Sequence, residues 1–545
     1  MAAPCVTRTF FSINTIRHVS PLAARHAAAS SKATTTLASL SSSRYTSLFS
    51  SSSSIFSTKR QTLPAPHRGL PLNYPLRRRP CPRSPQHFRS FNTSPPRTAA
   101  AAQPSTDLQH RMSSVSSTPA PVRIFIAGGS YAGLSAAMNL LDLSSGASPR
   151  QATEPYPHVP GFEKLDIEIT LADERDGWCK SHTRRPIFPN HLIGSPLALA
   201  DNEYAKKAWV KYADIPSMQV PNLKVVIGSV TAVDCVSKTV TTLDAVTKVA
   251  TEHAYDFFVA ATGLRRVWPT VPQSLSRKQY LVEAGEHVHA VSNAQHGVVV
   301  VGGGAVGIEM AGELKVVHPG IDVTLVHSRD KLLSSEGLSD ECKDTTLALL
   351  REAGVKVLLN HRLSKSTRVE TTDGSTKYDV EFTNGHKMTA SEIIMAVSQP
   401  TSTATYMPTT ALDENQLVKI NPNLTLVEGT SNADYHFCAG DVAKWSGIKR
   451  CGGAMHGGHY AAYNIHQTIL RDRVPGGHQP KYSEFTEFPV CIGLAVGNTA
   501  VASGPESGTV SGPDVMKAYF RDDLGFDICW ESMQLGGKKE TVVEA

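Results

Sequence analysis

Short runs of consecutive apolar residues alternate with amphipathic stretches over most of the chain beyond residue 120. Val122–Ala127, in which Arg123 is the one charged residue, and Val298–Val301 are two such runs, and each leads through a glycine-rich turn into a stretch with helical periodicity. Apolar runs of this length are typical of parallel strands that are buried on both faces. The next strands are predicted at Asp166–Ala172 and Asp322–Val326. Two such strand–turn–helix–strand units predict an α/β fold with two doubly wound, Rossmann-like domains.

The first 106 residues differ from the remainder in composition. Met1–Thr106 contains 14 Lys and Arg residues and no Asp or Glu, with a serine run at Ser50–Ser54. A leader that is rich in Arg and Ser and lacks acids is typical of a mitochondrial transit peptide, or of a plastid one in a plant. We therefore expect a mitochondrial protein that is cleaved near Arg89–Phe91. A cytosolic form starting at Met112 and a plain disordered basic tail are the alternatives.

The net charge of +6 comes from this leader, because the remainder holds 40 basic and 48 acidic residues. An acidic body gives no reason to expect a nucleic-acid partner. The nine cysteines are scattered and none is in C-x-x-C spacing, which predicts a reduced compartment and excludes an adjacent redox dithiol. No apolar run reaches 18 residues, so no membrane-spanning helix is expected. No metal centre is predicted.

The turn after the first strand has the pattern G-x-G-x-x-G, with a serine at its middle glycine. The first glycine allows the tight turn, a small middle residue lets backbone N–H groups approach a pyrophosphate, and the last glycine allows close helix–strand packing. The motif is weak by itself, but its place between a strand and a helix strengthens it. The residues predicted to bind a dinucleotide here are Gly128, Gly129, Ser130, Tyr131, Ala132 and Gly133.

Two acids suggest which dinucleotide this turn binds. Asp173 ends the next strand, where an acid accepts hydrogen bonds from ribose hydroxyls, with Glu174 as the alternative. Far downstream, the segment Ala-Gly-Asp that ends at Asp441 resembles the second FAD motif of two-domain pyridine nucleotide flavoenzymes, in which this Asp binds the ribityl chain. The helix predicted to begin near Gly453 would direct its positive end at the flavin pyrimidine. The first cofactor is therefore predicted to be FAD.

The second glycine turn has all three glycines of the motif, Gly302, Gly304 and Gly307. The ribose position at the end of the next strand is His327 rather than an acid, with Arg329 two residues further on. An acid there would repel a 2′-phosphate, whereas His with a nearby Arg accommodates one. The second cofactor is predicted to be NADH or NADPH, with a lean to NADPH or to the use of both. The alternative is that Arg329 is only a solvated surface charge.

The sequence as a whole resembles the apoptosis-inducing-factor-like flavoproteins, a group that includes ferroptosis-suppressor and type II NADH dehydrogenase relatives. The specific matches are Gly-Gly-Ser-Tyr-Ala-Gly-Leu-Ser-Ala-Ala from Gly128, Gly-Ile-Glu-Met-Ala-Gly-Glu from Gly307 and Leu-Val-His-Ser from Leu325. The tail, with Gly493–Ala500 and Asp522–Phe526, resembles fungal members. The likeness covers about residues 120–535.

This resemblance implies a discontinuous FAD-binding domain, an inserted NAD(P)H-binding domain and a small C-terminal α+β domain. The boundaries are predicted at 1–118 for the transit peptide and disordered linker, 119–290 and 401–487 for the two parts of the FAD domain, 291–400 for the NAD(P)H domain and 488–545 for the C-terminal domain. The resemblance also implies that the Ala-Thr-Gly segment with Thr262 and Gly263 crosses between the domains. Glu309 is implied as the catalytic carboxylate near the flavin–nicotinamide junction. Glu313, one helical turn further, is predicted to be a surface residue.

The implied reaction is hydride transfer from NAD(P)H to the flavin, followed by passage of two electrons to an acceptor, in which positioning of the rings does most of the work. Without a dithiol, the expected acceptor is a quinone, and peripheral membrane contact without a transmembrane helix is compatible with this. The alternatives are a redox-sensing apoptosis-inducing-factor-like effector with slow turnover, a flavin monooxygenase, and a sulfide:quinone reductase that would use Cys179 and Cys342.

Overall fold

The computed structural model describes residues 120–179, 196, 199–371, 376–397, 400–445, 449, 451–486 and 489–537, so that the predicted leader at 1–118 lies outside the described residues. The strands are β1 (Val122–Ala127), β2 (Ile167–Asp173), β3 (Gly177–Cys179), β4 (Trp209–Lys211), β5 (Leu223–Asp234), β6 (Thr239–Asp244), β7 (Ala250–Ala254), β8 (Phe257–Ala260), β9 (Leu264–Arg265), β10 (Val298–Val301), β11 (Val323–Val326), β12 (Lys356–Leu358), β13 (Leu363–Glu370), β14 (Thr376–Phe382), β15 (Lys387–Ala390), β16 (Glu392–Met395), β17 (Thr401–Ser402), β18 (Val418–Lys419), β19 (His436–Cys438), β20 (Ala443–Lys444), β21 (Ile492–Val496), β22 (Thr499–Gly504) and β23 (Gly508–Gly512). The helices are α1 (Tyr131–Ser144), α2 (Asn202–Ala208), α3 (Arg277–Ser292), α4 (Ala305–Val317), α5 (Asp340–Glu352), α6 (Cys451–Arg473), α7 (Pro513–Tyr519) and α8 (Phe526–Ser532).

The first sheet has the strand order β19-β8-β1-β2-β5-β6-β7. Strands β19, β8, β1 and β2 and the first half of β5 run parallel, whereas β6 and β7 are antiparallel additions. The long strand β5 changes partner at Gly228: up to Ile227 it pairs with β2, and from Gly228 it pairs with β6. Because parallel strands end on the same edge, β1, β2, β8 and β19 all deliver the residues that follow them to one edge of this sheet.

The second sheet is parallel, with the order β12-β11-β10-β16, and an antiparallel meander of β13, β14 and β15 is inserted between β12 and β16. All four valines of β10 are buried, which explains why this strand has no polar position. The predicted α/β class with two Rossmann-like sheets is confirmed. None of the helices in the described part of the chain is long and apolar enough to span a membrane.

Small residues bring α1 and α6 into close contact. Gly458 of α6 lies so near to α1 that an added Cβ would overlap the carbonyl oxygen of Ala132. The hydroxyl of Ser135 donates a hydrogen bond of 2.6 Å to the carbonyl oxygen of Met455, across the two helices. Since α1 follows the first glycine turn and α6 follows Asp441, this contact holds the two predicted FAD-binding segments side by side.

The C-terminal segment consists of the antiparallel sheet β21-β22-β23 with α7 and α8. Its last residues return to the first sheet, where Met533 and Leu535 share a core with Met138 of α1. The guanidinium of Arg150 fixes this return, because it donates hydrogen bonds to the carbonyl oxygens of Met533 (2.9 Å) and Gln534 (3.1 Å). The same guanidinium forms an ion pair of 2.9 Å with Asp142, and both side chains are almost fully buried.

Candidate functional site

The first glycine turn is shaped as the motif requires. Gly128 has φ +106°, a conformation that L side chains rarely adopt, and a Cβ there would also meet the carbonyl of Ala261. A Cβ on Gly133 would overlap the carbonyl oxygen of Gly128. These two glycines therefore let α1 begin directly against the end of β1. Ser130 caps the helix, with its side chain making no capping hydrogen bond within the described residues.

Asp173 holds this turn in place. One carboxylate oxygen accepts a hydrogen bond of 2.7 Å from the N–H of Gly129, and the other accepts one of 2.8 Å from the N–H of Arg175. Burial raises the pKa of Asp173, and the charge of Arg175 opposes this rise. The hydroxyl of Tyr212 donates to the carbonyl oxygen of Gly129 at 2.9 Å. The predicted ribose acid thus orients the first glycine turn.

A cleft that is open to solvent lies at this edge of the sheet. Seven residues predicted from the sequence line it, and they come from four separate parts of the chain: Ser130, Tyr131, Ala132, Asp173, Thr262, Gly263 and Asp441. The hydroxyl of Thr262 lies 2.9 Å from that of Tyr406 and accepts a hydrogen bond of 2.7 Å from Thr403. The fold therefore brings the first glycine turn, the Ala-Thr-Gly segment and the distant Gly440-Asp441 segment into one site.

Asp441 lies beside two cations. Its carboxylate is 3.7 Å from a guanidinium nitrogen of Arg266, and its carbonyl oxygen accepts a hydrogen bond of 2.6 Å from the Lys449 ammonium. Burial raises the pKa of Asp441, whereas Arg266 and Lys449 lower it. Helix α6 begins at Cys451, and Cys451 and Ala454 line the cleft, so the N-terminal end of this helix reaches the site as expected.

Arg266 supplies a test of whether this cleft suits FAD. Its side chain lies in the cleft wall, and its Nε is buried without a hydrogen-bond partner among the described residues. Burial lowers the pKa of Arg266, yet an arginine stays protonated in proteins. A glycine turn at a helix N-terminus together with a buried cation fits a pyrophosphate. The residues of the cleft therefore fit FAD.

The sequence reasoning missed several residues of this wall: Arg175, Trp178, Tyr212, Arg266 and Cys451. Arg175 and Arg266 could have been found, because each follows a predicted site segment by two or three positions. Tyr212 and Trp178 have no such signal, since they reach the cleft only through the packing of β3 and the turn after β4.

The second glycine turn repeats this architecture between β10 and α4. Gly302 has φ +123°, and a Cβ on Gly307 would overlap the carbonyl oxygen of Gly302. Gly304 caps α4 with open space around it. The N–H of Gly303 donates a hydrogen bond of 3.1 Å to Nδ1 of His327. The predicted ribose residue thus holds the second turn as Asp173 holds the first.

The hydrogen bonds assign the tautomer of His327. Because Nδ1 accepts from Gly303, the proton lies on Nε2, which donates to the hydroxyl of Ser334 at 2.9 Å. Burial, and then the charge of Arg329, lower the pKa of His327, so the imidazole is neutral near pH 7. Arg329 is exposed and donates to the carbonyl oxygen of Ser334 at 3.0 Å. An imidazole and a guanidinium therefore share the end of β11.

Two carboxylates of α4 are buried, contrary to expectation for one of them. Glu309 is fully buried but is not among the described residues that line the first cleft, so its catalytic role remains a prediction. The prediction that Glu313 lies at the surface is wrong, because only 4% of it is exposed. Burial raises the pKa of Glu313 to about 8. Helix α4 is covered on a second side by the C-terminal segment, where Gly312 approaches the backbone of Gly497.

The described residues do not place a pair of cysteines at the cleft, as a sulfide:quinone reductase would require. Cys342 is buried near the start of α5 in the core of the second sheet, and the side chain of Cys179 lies outside the described residues. Cys451 is the one cysteine among the described cleft residues. This arrangement leaves that alternative without a pair of thiols in the described wall.

The structure has two glycine turns, each between a parallel strand and a helix, and its cleft joins the first turn to the distant Gly440-Asp441 segment. These features define a flavoprotein oxidoreductase with two dinucleotide sites. The family comparison agrees with this class. The chain belongs to the pyridine nucleotide-disulphide oxidoreductase family, whose model matches residues 122–458. It is an NAD(P)H-dependent oxidoreductase with FAD and NADH or NADPH as its cofactors.

Individual relatives confirm the predicted resemblance. Oxidoreductase OXR1 of Ajellomyces capsulatus is 47% identical over 428 residues, which are 78% of this chain and 90% of that protein. Ferroptosis suppressor protein 1 of Mus musculus is 25% identical over 351 residues, which are 64% of this chain and 80% of that protein. The structure of NDH2 from Plasmodium falciparum in complex with NADH has a TM-score of 0.50 at 12% identity, covering 72% of this chain and 92% of that one. The last likeness shows the fold alone.

Proposed function

We propose that this oxidoreductase passes two electrons from NADH or NADPH, through FAD, to a quinone-type acceptor outside the protein. The observation that carries the proposal is the cleft wall, to which the described residues contribute one cysteine, Cys451. No two cysteines of the chain are in C-x-x-C spacing. Because the described wall holds a single thiol, it offers no protein disulfide for the electrons to reduce, and we expect them to leave to a separate acceptor. Trp178, Val271 and Pro272 are apolar residues of this wall, and they suit the ring of a quinone.

The residues of the first cleft would hold FAD through its phosphates and its sugar. Bound there, FAD supplies the two-electron chemistry that links the nicotinamide to the acceptor. Gly128–Gly133 presents backbone N–H groups at the start of α1, and Arg266 adds a positive charge. Asp173 and Asp441 supply carboxylates that accept hydrogen bonds from hydroxyl groups. The role of the protein in this reaction is to bind, orient and shield the reacting groups.

Steady-state kinetics on the FAD-loaded full chain test the acceptor. We expect fast NAD(P)H oxidation with soluble ubiquinone analogues and slower oxidation with molecular oxygen or a disulfide. An Asp441→Asn variant is expected to lose flavin and quinone reduction in the same proportion, since the carboxylate is proposed to hold the cofactor. Negligible rates across all quinones contradict the proposal. If the protein then keeps NADH bound in a stable complex, the redox-sensing effector becomes the better description.

We further propose that NADPH is used at least as well as NADH, because His327 and Arg329 stand where an acid would exclude a 2′-phosphate. A His327→Asp variant places a carboxylate near that phosphate. At an effective dielectric constant of about 20, two unit charges about 4 Å apart interact by about 4 kcal/mol, and exposure reduces this value. We expect kcat/KM for NADPH to fall about 10- to 100-fold relative to NADH, with exposed Arg362→Gln as the unchanged control. A large NADH preference in the parent protein refutes this proposal.

The leader Met1–Thr106 supports a mitochondrial location, which we propose on its composition alone. Fusing residues 1–118 to a fluorescent reporter tests this localisation. Mitochondrial fluorescence is expected, and a version with six of the arginines replaced by glutamine is expected to stay in the cytosol. Cytosolic fluorescence of the unchanged fusion would contradict the proposal.

A further inference from the structure

Two histidines meet at the edge of the second sheet, outside the residues assigned to either cofactor. His361 follows β12, and His386 lies in the turn between β14 and β15. Nε2 of His361 is 3.0 Å from Nδ1 of His386. The rings lie edge to face, with centroids 5.0 Å apart and planes at 82°. Within the described residues there is no cluster of three or more candidate metal ligands, so a metal ion here would have two protein ligands and water.

The tautomer of His361 is fixed by the backbone. Its Nδ1 lies 2.7 Å from the carbonyl oxygen of Leu359, so Nδ1 carries the proton and donates it. The lone pair of the neutral ring is therefore on Nε2, the atom that faces His386. An imidazole that donates its other N–H to a carbonyl is the usual arrangement of a histidine that binds a metal. In the metal-free pair, this lone pair accepts the N–H of His386.

The surrounding residues hold the two histidines next to each other. The ring of Phe382 packs against His361 with centroids 5.2 Å apart and stacks on His386 at 5.6 Å. The backbone N–H of His386 donates to the side chain of Asn384 at 3.1 Å, and Asn384 in turn donates to the carbonyl oxygen of Asn360 at 3.3 Å. The turn and the end of β12 are thus tied together. The backbone positions of the two histidines are therefore fixed relative to each other, and only the exposed His386 side chain has to rotate to share a ligand.

We propose that His361 and His386 bind a divalent transition-metal ion, with Cu²⁺ preferred over Zn²⁺. The two nitrogens already lie 3.0 Å apart, and His361 presents its Nε2 lone pair towards His386. The ion displaces the Nδ1 proton of His386 to solvent, and rotation of the exposed His386 side chain directs its Nδ1 lone pair at the ion that Nε2 of His361 binds. Imidazole ligands and the Irving–Williams order then favour Cu²⁺.

Titration of the full, FAD-loaded chain with Cu²⁺ and with Zn²⁺, using a competing chelator, measures the affinity, and EPR of the Cu²⁺ form identifies its ligands. We expect a tetragonal spectrum with coupling to two imidazole nitrogens. His386→Gln is expected to weaken Cu²⁺ binding about tenfold or more, because the second ligand no longer acts intramolecularly. His361→Gln should do the same, and His289→Gln, an exposed histidine on α3, is the matched control.

Three results would overturn the proposal. The first is equal Cu²⁺ affinity in the parent and His386→Gln proteins. The second is an EPR spectrum without two imidazole nitrogens, and the third is tighter binding of Zn²⁺ than of Cu²⁺. Because His386 is exposed on a turn, its variant is expected to keep the parent melting temperature and flavin content, and both measurements verify that the fold is intact.

Discussion

Replacing Glu313 by glutamine is expected to stabilise the protein in a manner that depends on pH. Burial raises the pKa of this carboxyl from 4.5 to about 8. The folded state therefore binds a proton that the unfolded state has lost between these two values, so the free energy of unfolding falls as pH rises from about 4.5 to about 8. This difference corresponds to at most about 5 kcal/mol. Glutamine cannot ionise, so the variant does not lose this free energy of unfolding as the pH rises.

The measurable gain is smaller than this upper limit, because the amide of glutamine still buries polar atoms. We expect about 1–3 kcal/mol at pH 8, which for a folded region of about 420 residues raises the melting temperature by about 1–3 °C. At pH 5 the carboxyl of the parent protein is largely protonated in the folded state, and the two proteins should melt within about 1 °C of each other.

The assay is thermal unfolding followed by circular dichroism, with FAD in excess, at pH 5, 6.5 and 8. Glu286→Gln on α3 is the control, because Glu286 is exposed and its replacement removes a charge without changing burial. The reasoning is refuted if Glu313→Gln changes the melting temperature equally at pH 5 and pH 8. That result would mean that the carboxylate is ionised in the folded protein.

Three further changes have distinct expected outcomes. Gly133→Ala should yield protein without visible flavin absorbance, because the new Cβ overlaps the carbonyl oxygen of Gly128 in the first turn. Gly307→Ala should keep its flavin and lose NAD(P)H binding, which calorimetry measures. Loss of flavin in both variants would contradict two separate sites. Arg150→Met should cost about 3–5 kcal/mol, since it removes the buried ion pair with Asp142, and it should expose the C-terminal segment to early proteolysis. Partial rescue by the double change with Asp142→Asn is expected; a melting temperature equal to that of the parent would disprove the anchoring.

The parts of the site that obey a local rule could be predicted from the sequence. Both glycine turns follow from backbone conformation and the neighbouring strand, which a short segment specifies by itself. Joining Asp441 to the first turn needed the resemblance to known flavoenzymes, because more than 300 residues separate the two segments. Trp178 and Tyr212 reach the cleft through tertiary packing, for which the apolar pattern carries no signal.

The error at Glu313 has a physical cause. Helical periodicity identifies one apolar face, and a polar residue off that face is then assigned to solvent. Helix α4 is instead covered on two sides, by the second sheet and by strand β21, which comes almost 180 residues later in the chain. The pairing of His361 with His386 was invisible for a related reason, since the meander of β13 to β15 brings together residues 25 positions apart.

The two glycine turns of this chain serve as controls for each other. In each turn the residue after the first motif glycine, Gly129 or Gly303, donates its N–H to the side chain at the end of the next strand. The acceptor is the carboxylate of Asp173 in the first turn and the imidazole of His327 in the second. Because the backbone arrangement is the same, a difference in nucleotide preference has to come from that side chain and its neighbours. A carboxylate attracts ribose hydroxyls and repels a phosphate, whereas a neutral imidazole beside Arg329 does not repel one. The proposed use of NADPH therefore depends on the residues at the end of β11 and not on the shape of the turn.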